Sequence, residues 1–378
     1  MVRTSFATSV WMLVVAGIAG AGLSPLAASP LAATPNLSAP PALSPENPST
    51  TSYRLRQTVR LREVPEGAKT VRLWVPIPSD SAYQRVHDLR VIEAPADWRI
   101  ERQDAARGQI VYCEAPSPKG PVSVTIECII SRDAVRFPLE ADIGEVDPPD
   151  ARVYAGDLVT DAALMEATAE VRTMASDACR GATNLPQKAI RLLEAVAISA
   201  DHYSKDKTKP TCGRGAASDC LAHGGGCCTD LHSLFIAMAR SQGIPARLQF
   251  GYRLTPANEN KPDADPGYRC WVEFFLPGRG WVPTDIVVAD SGDAAARPSA
   301  WGTLDDRRVW LWEGRGFTLA PAQTGGPIQT MIVGYAEIDG TPVDPLPAPD
   351  GTPSKLERRI TFSVLDPKAQ ASATSTNR

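Results

Sequence analysis

Two adjacent cysteines follow three glycines at the start of a predicted helix. Residues 224–230 have the sequence GGGCCTD, and the apolar residues after them keep helical spacing as far as Ser241. A thiol in the first turn of a helix lies beside unpaired backbone N–H groups and the positive end of the helix dipole. Both lower the pKa of the thiol and favour the nucleophilic thiolate. The alternative interpretation is a structural thiol or one half of a disulfide.

Histidines that could serve such a thiol are few, because the chain of 378 residues contains four. His232 follows Cys228 by four residues, so the two lie one turn apart on the predicted helix. Helical side chains lean toward the N-terminus, which tilts His232 toward Cys228. His223 precedes the glycines in a predicted loop. His202 is expected at a helix end or on the surface, and His87 lies in a strand-like region without reactive neighbours.

The elements that position the thiol are predicted from hydrophobic periodicity. The helix after the glycines ends at Gly243-Ile244-Pro245, where a glycine and a proline stop it. Helical spacing is also present before the glycines, and period-2 alternation predicts strands after the helix. The further predicted helices cover residues 158–174 and 186–203, and the strands cover residues 246–254, 270–276, 309–312, 317–319, 330–338 and 359–365.

The region before the helices is strand-like. Polar and apolar residues alternate over residues 53–61, 70–75 and 122–130, with turn sequences such as Pro65-Glu66-Gly67 between them. Regular alternation with short turns is typical of a β-sandwich. We therefore predict a β-sandwich module over residues 53–140.

The N-terminus has the pattern of an export signal. Arg3 precedes an apolar run over residues 10–23, and small residues follow up to a cleavage sequence at residues 31–33. The run is short for a membrane span, so an uncleaved anchor is the less favoured alternative. We predict a signal peptide over residues 1–33, a Pro/Ser-rich linker over 34–52 and a disordered tail over 367–378. The expected location is the periplasm, the cell envelope or the outside of the cell.

Charge and cysteine content narrow the classes of function. The formal net charge of −4 argues against nucleic acid as a partner. Eight cysteines in an exported chain permit disulfides, and Cys113 and Cys128 stand in neighbouring predicted strands, but the pairing stays open. No zinc spacing and no calcium loop is present, so we expect no metal and no organic cofactor.

The sequence around the thiol resembles the transglutaminase-like superfamily. The similar segments are CTDLHSLF at residues 228–235, GIPAR at 243–247, GYRCWVEF at 267–274 and GWVPTD at 280–285. They keep the family's order and spacing across residues 200–290. The resemblance implies a papain-like fold, in which the helix that carries the nucleophile packs on an antiparallel sheet. It also implies a Cys-His-Asp triad that acts on protein or peptide amides through a thioester.

Carried over position by position, the resemblance assigns Cys228 as the nucleophile and Asp285 as the third triad member. Cys227 is not assigned, because the family's Cys-x-Asp pattern aligns on Cys228. The histidine position of the family is occupied by Arg269. Arginine stays protonated and cannot accept the thiol proton. We expect Arg269 to pair with Asp285 or to lower the pKa of Cys228, and amide chemistry to be slow at best.

The predicted architecture is α+β: a β-sandwich, a transglutaminase-like core over residues 141–295 and a strand-rich extension over 296–366. The strands of this last region either complete the core sheet or form a small β-extension. The predicted function is an exported, transglutaminase-like protein with impaired chemistry that binds a peptide or a cell-envelope partner. No stable membrane span is expected after cleavage. The alternatives are an active thiol enzyme with His223 or His232 as substitute base, and a structural role with Cys228 in a disulfide to a loop cysteine such as Cys220.

Overall fold

The computed structural model describes residues 45–46, 49–103, 107–141, 151–211, 214–261, 268–291, 295, 297–345 and 352–365. All of them belong to one compact unit, residues 40–378. The helices of this described part are α1 (Ala169–Ala178), α2 (Leu185–Ser199), α3 (Ala217–His223), α4 (Cys228–Ser241), α5 (Ile286–Ser291) and α6 (Arg297–Ala300).

The strands fall into an N-terminal, a central and a C-terminal group. They are β1 (Thr50–Leu61), β2 (Thr70–Ile77), β3 (Gln84–Glu93), β4 (Asp97–Arg102), β5 (Gln109–Pro116), β6 (Val122–Asp133), β7 (Val135–Arg136), β8 (Asp201–His202), β9 (Gly225–Gly226), β10 (Ala246–Arg253), β11 (Tyr268–Leu276), β12 (Gly280–Thr284), β13 (Thr303–Leu304), β14 (Arg308–Glu313), β15 (Tyr335–Ile338), β16 (Thr341–Val343) and β17 (Leu356–Val364).

Two antiparallel sheets build the predicted sandwich. One has the order β17-β1-β6-β3 and the other has the order β16-β15-β2-β5-β4. Alternate residues of β1 and β6 are buried, as expected for strands with one face in a core. In the second sheet, Trp74 packs between the rings of Tyr112 and Tyr335, with ring centroids 5.2 and 5.4 Å apart.

Of the two alternatives for residues 296–366, completion of the core sheet holds for β14, whereas β15 and β17 join the sandwich. β14 pairs with β10 of the core sheet, whereas β15 pairs with β2 and β17 pairs with β1. The sequence pattern identified these strands but carries no information about which distant strand supplies their hydrogen bonds. Residues 296–366 are therefore divided between the core sheet and the two sheets of the sandwich.

The core is the four-stranded sheet β12-β11-β10-β14 with α4 packed against it. Every residue of α4 from Cys228 to Arg240 is buried, because α1, α2 and α3 cover the sides that the sheet leaves open. This is the predicted arrangement of a nucleophile helix on an antiparallel sheet. The mixed α+β fold class is confirmed.

Several element boundaries differ from the prediction. β1 begins at Thr50, inside the predicted linker, because the hydroxyl groups of Thr50 and Thr51 donate to Asp133 and Asp306. The helix predicted to Tyr203 ends at Ser199 and β8 follows. The helical pattern over residues 158–174 becomes a helix only from Ala169 onward. Residues 317–319 form a single bridge through Phe317 and no strand.

The predicted signal peptide, most of the linker and the predicted tail lie outside the described residues. Among the helices that the structure describes, none combines the length and the apolar character that a membrane crossing requires.

Polar side chains join the sandwich to the core sheet. Gln84 bonds the backbone of Trp310 in both directions, at 2.8 and 3.0 Å. Tyr252 donates to Gln57 at 2.8 Å, and the amide of Gln57 donates to the carbonyl of Pro76 at 2.7 Å. These buried bonds satisfy both partners, so they fix how the two layers face each other without leaving unpaired polar groups.

Gly251 provides a test of this packing. It lies opposite Arg269 in the register of β10 and β11, and a Cβ there would lie 1.9 Å from the carbonyl oxygen of Val309. We expect Gly251→Ala to destabilise the protein by about 1–3 kcal/mol or more in urea unfolding, because the backbones must separate. Gly120→Ala is the matched control, since a Cβ at Gly120 meets nothing within 4 Å. Equal unfolding midpoints for the two variants would contradict this account.

Candidate active site around Cys228

The N-terminus of α4 is held by a reciprocal cap. Cys227 is the N-cap residue, and its backbone N–H donates to the Asp230 carboxylate at 2.9 Å. Cys228 is the first residue of the helix and is 5% exposed. Burial raises the pKa of Asp230 to about 7, and the neighbouring Cys227 adds to this rise. The predicted thiol at a helix N-terminus is therefore present in the structure.

The glycines before the cysteines allow another backbone segment of the protein to lie close beside them. Gly225 and Gly226 form β9, which pairs in parallel with Asp201 and His202 of β8. A Cβ at Gly225 would lie 2.1 Å from the carbonyl oxygen of Asp201, so no other residue fits there. Gly225 and Gly226 thus bring the strand of His202 beside the cysteines.

Three thiols meet at the start of α4. Hydrogen bonds of Cys228 with Cys227 and Cys270, together with burial, raise the pKa of the Cys228 thiol well above its usual value. The thiolate that we expected at Cys228 is instead favoured at Cys270. Burial opposes ionisation there, but the hydrogen bond with Cys228 and the nearby His232 lower the pKa of the Cys270 thiol to about 6.

His232 lies one turn into α4 and is fully buried. Its Nδ1 lies 3.2 Å from the sulfur of Cys270, and its Nε2 lies 3.5 Å from Asp285 Oδ1. The backbone N–H of Ile286 donates to the same Nε2 at 3.1 Å. Both ring nitrogens of this predicted substitute base therefore already face partners other than Cys228.

Two effects compete over the protonation of His232. Burial disfavours the charged ring, but the charge of Cys270 and the hydrogen bond with Asp285 raise the pKa of His232 to about 9. The Ile286 N–H acts in the opposite direction, since it needs a lone pair on Nε2. Nδ1 of the ring faces Cys270, so a proton exchanged at Nδ1 is exchanged with Cys270 and not with Cys228.

Asp285 is buried at the junction of β12 and α5. Its Oδ2 lies 2.5 Å from Nη1 of Arg308, and its Oδ1 accepts the backbone N–H of Val287 at 2.9 Å. Burial opposes ionisation, but the charge of Arg308 and the hydrogen bond with His232 hold the pKa of Asp285 well below its usual value. The expected pair of Asp285 with Arg269 is thus replaced by a pair with Arg308, which β14 brings beside β10.

Arg269 lies on β11 directly before Cys270 and is partly exposed. Successive strand residues face opposite sides, so Cys270 points at α4 and is fully buried, as predicted. The charge of Arg269 acts on His202: burial lowers the pKa of His202, and Arg269 lowers it further. The prediction that His202 lies at a helix end or on the surface is wrong, because this residue is buried in β8.

His223 is the last residue of α3 and not part of a loop. Its ring is exposed, and Nδ1 lies 2.8 Å from the carbonyl oxygen of Asp219 one turn earlier. This local bond ties the predicted substitute base to its own helix. The structure groups Cys228, His232 and Asp285 around Cys270 and Arg308, and it records no bond between His223 and any of them among the described residues.

Sequence reasoning did not assign Cys270 and Arg308 to the site. The period-2 pattern of β11 placed Cys270 on the buried face, which was the available signal for its contact with α4. No spacing in the chain signals Arg308, since the pairing of β14 with β10 brings it to the site.

Cys113, Cys128 and Cys220 are buried free thiols, so neither the Cys113–Cys128 pair nor the Cys228–Cys220 pair is formed. Within the described ranges, no group of three or more potential ligands is arranged to hold a metal ion.

Comparison with known proteins indicates the same class of protein as the sequence resemblance does. The family model of the transglutaminase-like superfamily matches residues 172–286, from α1 to the first residue of α5. The resemblance to this superfamily that the sequence shows is confirmed for residues 172–286.

Three relatives extend the comparison beyond this segment. A protein of Haemophilus influenzae whose activity is uncharacterised is 26% identical over 331 residues, which is 77% of this chain and 87% of that protein. A crystal structure from Cytophaga hutchinsonii, described as a candidate cysteine protease, is similar with a TM-score of 0.52 and 13% identity over 85% of this chain and 93% of that one. The periplasmic domain of TgpA from Pseudomonas aeruginosa gives a TM-score of 0.34 and 15% identity, covering 65% of this chain and 90% of that domain.

The buried ion pair of the site makes a stability prediction. Asp285→Asn leaves the guanidinium of Arg308, which is 1% exposed, without its nearest counter-charge. We expect a loss of about 3 kcal/mol in the free energy of unfolding, measured by urea denaturation. Asp305→Asn removes a second carboxylate at 3.6 Å from the same arginine, but Asp305 is 39% exposed, so about 1 kcal/mol or less is expected. Losses of equal size would show that Asp285 does not carry the charge balance.

Proposed function

We propose that this is an exported transglutaminase-like protein whose cysteine chemistry on amides is impaired and whose cleft binds peptide segments or a partner in the cell envelope. Export is supported by the N-terminal sequence, in which Arg3 precedes an apolar run and small residues. The family chemistry is supported by the core domain, with a cysteine at the start of α4 and a buried aspartate after β12.

The proposed impairment rests on which residues stand at the three triad positions. Arg269 stands where the resemblance requires the histidine, and Asp285 is bound by Arg308 and His232. A triad needs one ring that takes the thiol proton and one carboxylate that orients this ring. Here the carboxylate contacts a histidine whose Nδ1 faces Cys270 and not Cys228, and the pKa of the Cys228 thiol is raised.

Loss of the base affects both halves of the reaction. Formation of the thioester requires the thiolate of Cys228, and expulsion of the amine requires a proton donor. General acid–base catalysis contributes about 10²–10⁴-fold to such rates. The recognition surface does not depend on these protons, so binding of a peptide can persist after turnover is lost.

The competing function is an active thiol peptidase or transglutaminase. It would use Cys228 with His223 as an unusual base, and therefore needs movement of α3, since His223 bonds within its own helix. His202 offers a second route, because it lies close enough to Cys227 for this thiol to influence its pKa. Both routes require turnover by the wild-type protein that disappears with Cys228.

Restoring the missing base tests the proposal. We expect Arg269→His to increase turnover of blocked glutaminyl peptides by about tenfold or more over wild type, because it restores the histidine that the resemblance requires at this position. Ammonia release and hydroxamate formation measure transfer, and peptide mass spectrometry measures cleavage.

Two variants control this experiment. Arg269→Lys keeps the positive charge without a ring base and should remain as inactive as wild type, and Cys228→Ala in the Arg269→His background should abolish the gain. Efficient turnover by wild type that is lost in Cys228→Ala would refute the impaired site. An inactive Arg269→His variant would show that the replacement of histidine is not the cause of inactivity.

A further inference from the structure

A cavity lies on the face of the core sheet that points away from α4. Its volume is about 230 Å³, and it is enclosed by β10, β11, β12 and β14 on one side and by residues of the sandwich on the other. Cys270 faces α4, so Trp271 and Glu273 face the opposite side and line this cavity. The cavity is therefore separate from the thiols at the start of α4.

The core side of the cavity carries a closed polar network. Arg247 binds Glu273 at 2.7 Å and Glu313 at 3.1 Å. The amide nitrogen of Gln249 donates to the same two carboxylates at 3.0 Å each, and its oxygen accepts the indole N–H of Trp310 at 2.6 Å. All these bonds use the Oε2 atoms of the carboxylates. The Oε1 atoms are thus left as acceptors with no bond to the described residues.

The sandwich side contributes Arg132 of β6, whose guanidinium is the unusual group of the cavity. Arg132 is 2% exposed, and its Nε has no hydrogen-bond partner. No ion pair joins its side chain to any residue that the structure describes. Burial lowers the pKa of Arg132 to about 10, and the more distant charge of Glu273 offsets part of this effect. The group is still a cation at neutral pH, and a buried cation requires an anion nearby.

Aromatic side chains form most of the remaining wall, and residues 80–82 before β3, which include Asp80, complete it. Trp271, Trp281 and Trp310 line the cavity together with Tyr83, and Arg247 stacks over Trp281 at 3.8 Å from the ring centroid. Indole rings supply flat apolar area with little conformational freedom, which suits a rigid ring with C–H faces. The volume is below the range of about 300–1,000 Å³ of pockets for drug-sized ligands, so the occupant is small.

From these features we propose that the cavity binds a hydroxylated carboxylate of monosaccharide size, that is, a sugar acid. Its carboxylate pairs with Arg132, its hydroxyl groups donate to the Oε1 atoms of Glu273 and Glu313, and its ring lies against the indoles. The proposal goes beyond the function proposed above and does not depend on the state of Cys228.

A free amino acid fits the same cavity less well. Its ammonium group would lie at two carboxylates that already pair with the guanidinium of Arg247, and like charges close to each other repel. Hydroxyl groups donate hydrogen bonds to the same oxygens without adding charge. The chemistry of the network therefore favours hydroxyl donors over an amine.

Calorimetric titration of the full chain with D-glucuronate tests the proposal, with D-glucose, acetate and L-glutamate as comparison ligands. We expect saturable binding of glucuronate, with a rise in melting temperature, and at least about tenfold weaker binding of the other three. Arg132→Met should weaken glucuronate binding by about tenfold or more. Its melting temperature without ligand should be equal to or above that of wild type, because an uncompensated charge is removed.

Two further variants keep the test decisive. Arg132→Lys retains the charge and loses the planar fork, so its binding should lie between wild type and Arg132→Met. Arg54→Gln removes an exposed charge from β1 and should bind as wild type does. The proposal is overturned if wild type does not bind glucuronate, if acetate, glucose or L-glutamate binds equally well, or if Arg132→Met binds unchanged. A large loss of melting temperature in Arg132→Met without ligand would also overturn it, since Arg132 would then be structural.

Discussion

The ion pair between Asp285 and Arg308 is the interaction on which the core depends. Both groups are buried, and they join the start of α5 to β14 across the core sheet. Through His232 the same carboxylate reaches α4, so helix, sheet and the C-terminal strands share one buried charge. Such a pair tolerates no loss of one partner, because the remaining charge would be left without water or a counter-ion. The geometry of the thiol site is therefore fixed by electrostatics as much as by packing.

This constraint explains why Arg269 does not act as a simple substitute for a catalytic histidine. The aspartate that would orient a base is already neutralised by Arg308, and Arg269 lies on the strand face opposite to Cys270. Cys228 shares hydrogen bonds with Cys227 and Cys270, which keeps its proton in place. The fold thus places a cysteine at the start of α4 beside a buried histidine and a buried aspartate, and the three groups are tied to further partners.

Local patterns in the sequence identified individual strands and helices, because these depend on residues that are close together in the chain. Alternation located β1, β6 and β11, and the glycines with the following apolar spacing located α4. The resemblance located Cys228 and Asp285. The sequence did not reveal that β15 and β17 complete the sandwich, nor that Arg308 reaches Asp285, because strand pairing between distant segments leaves no spacing signal. It also gave the wrong sign for the pKa of Cys228, since the effect of burial beside other thiols depends on packing that only the folded chain provides.

The most direct test of the account is the pH dependence of Cys228 alkylation by iodoacetamide in the native protein, followed by peptide mass spectrometry, with the Cys228→Ser variant as the blank. The shape of the profile separates ionisation from burial, since burial slows labelling at every pH. The account predicts that the labelling rate keeps rising above about pH 8.5, the ordinary pKa of a cysteine thiol. A rate that reaches its plateau below about pH 7 would show a stabilised thiolate at Cys228 and would contradict the account.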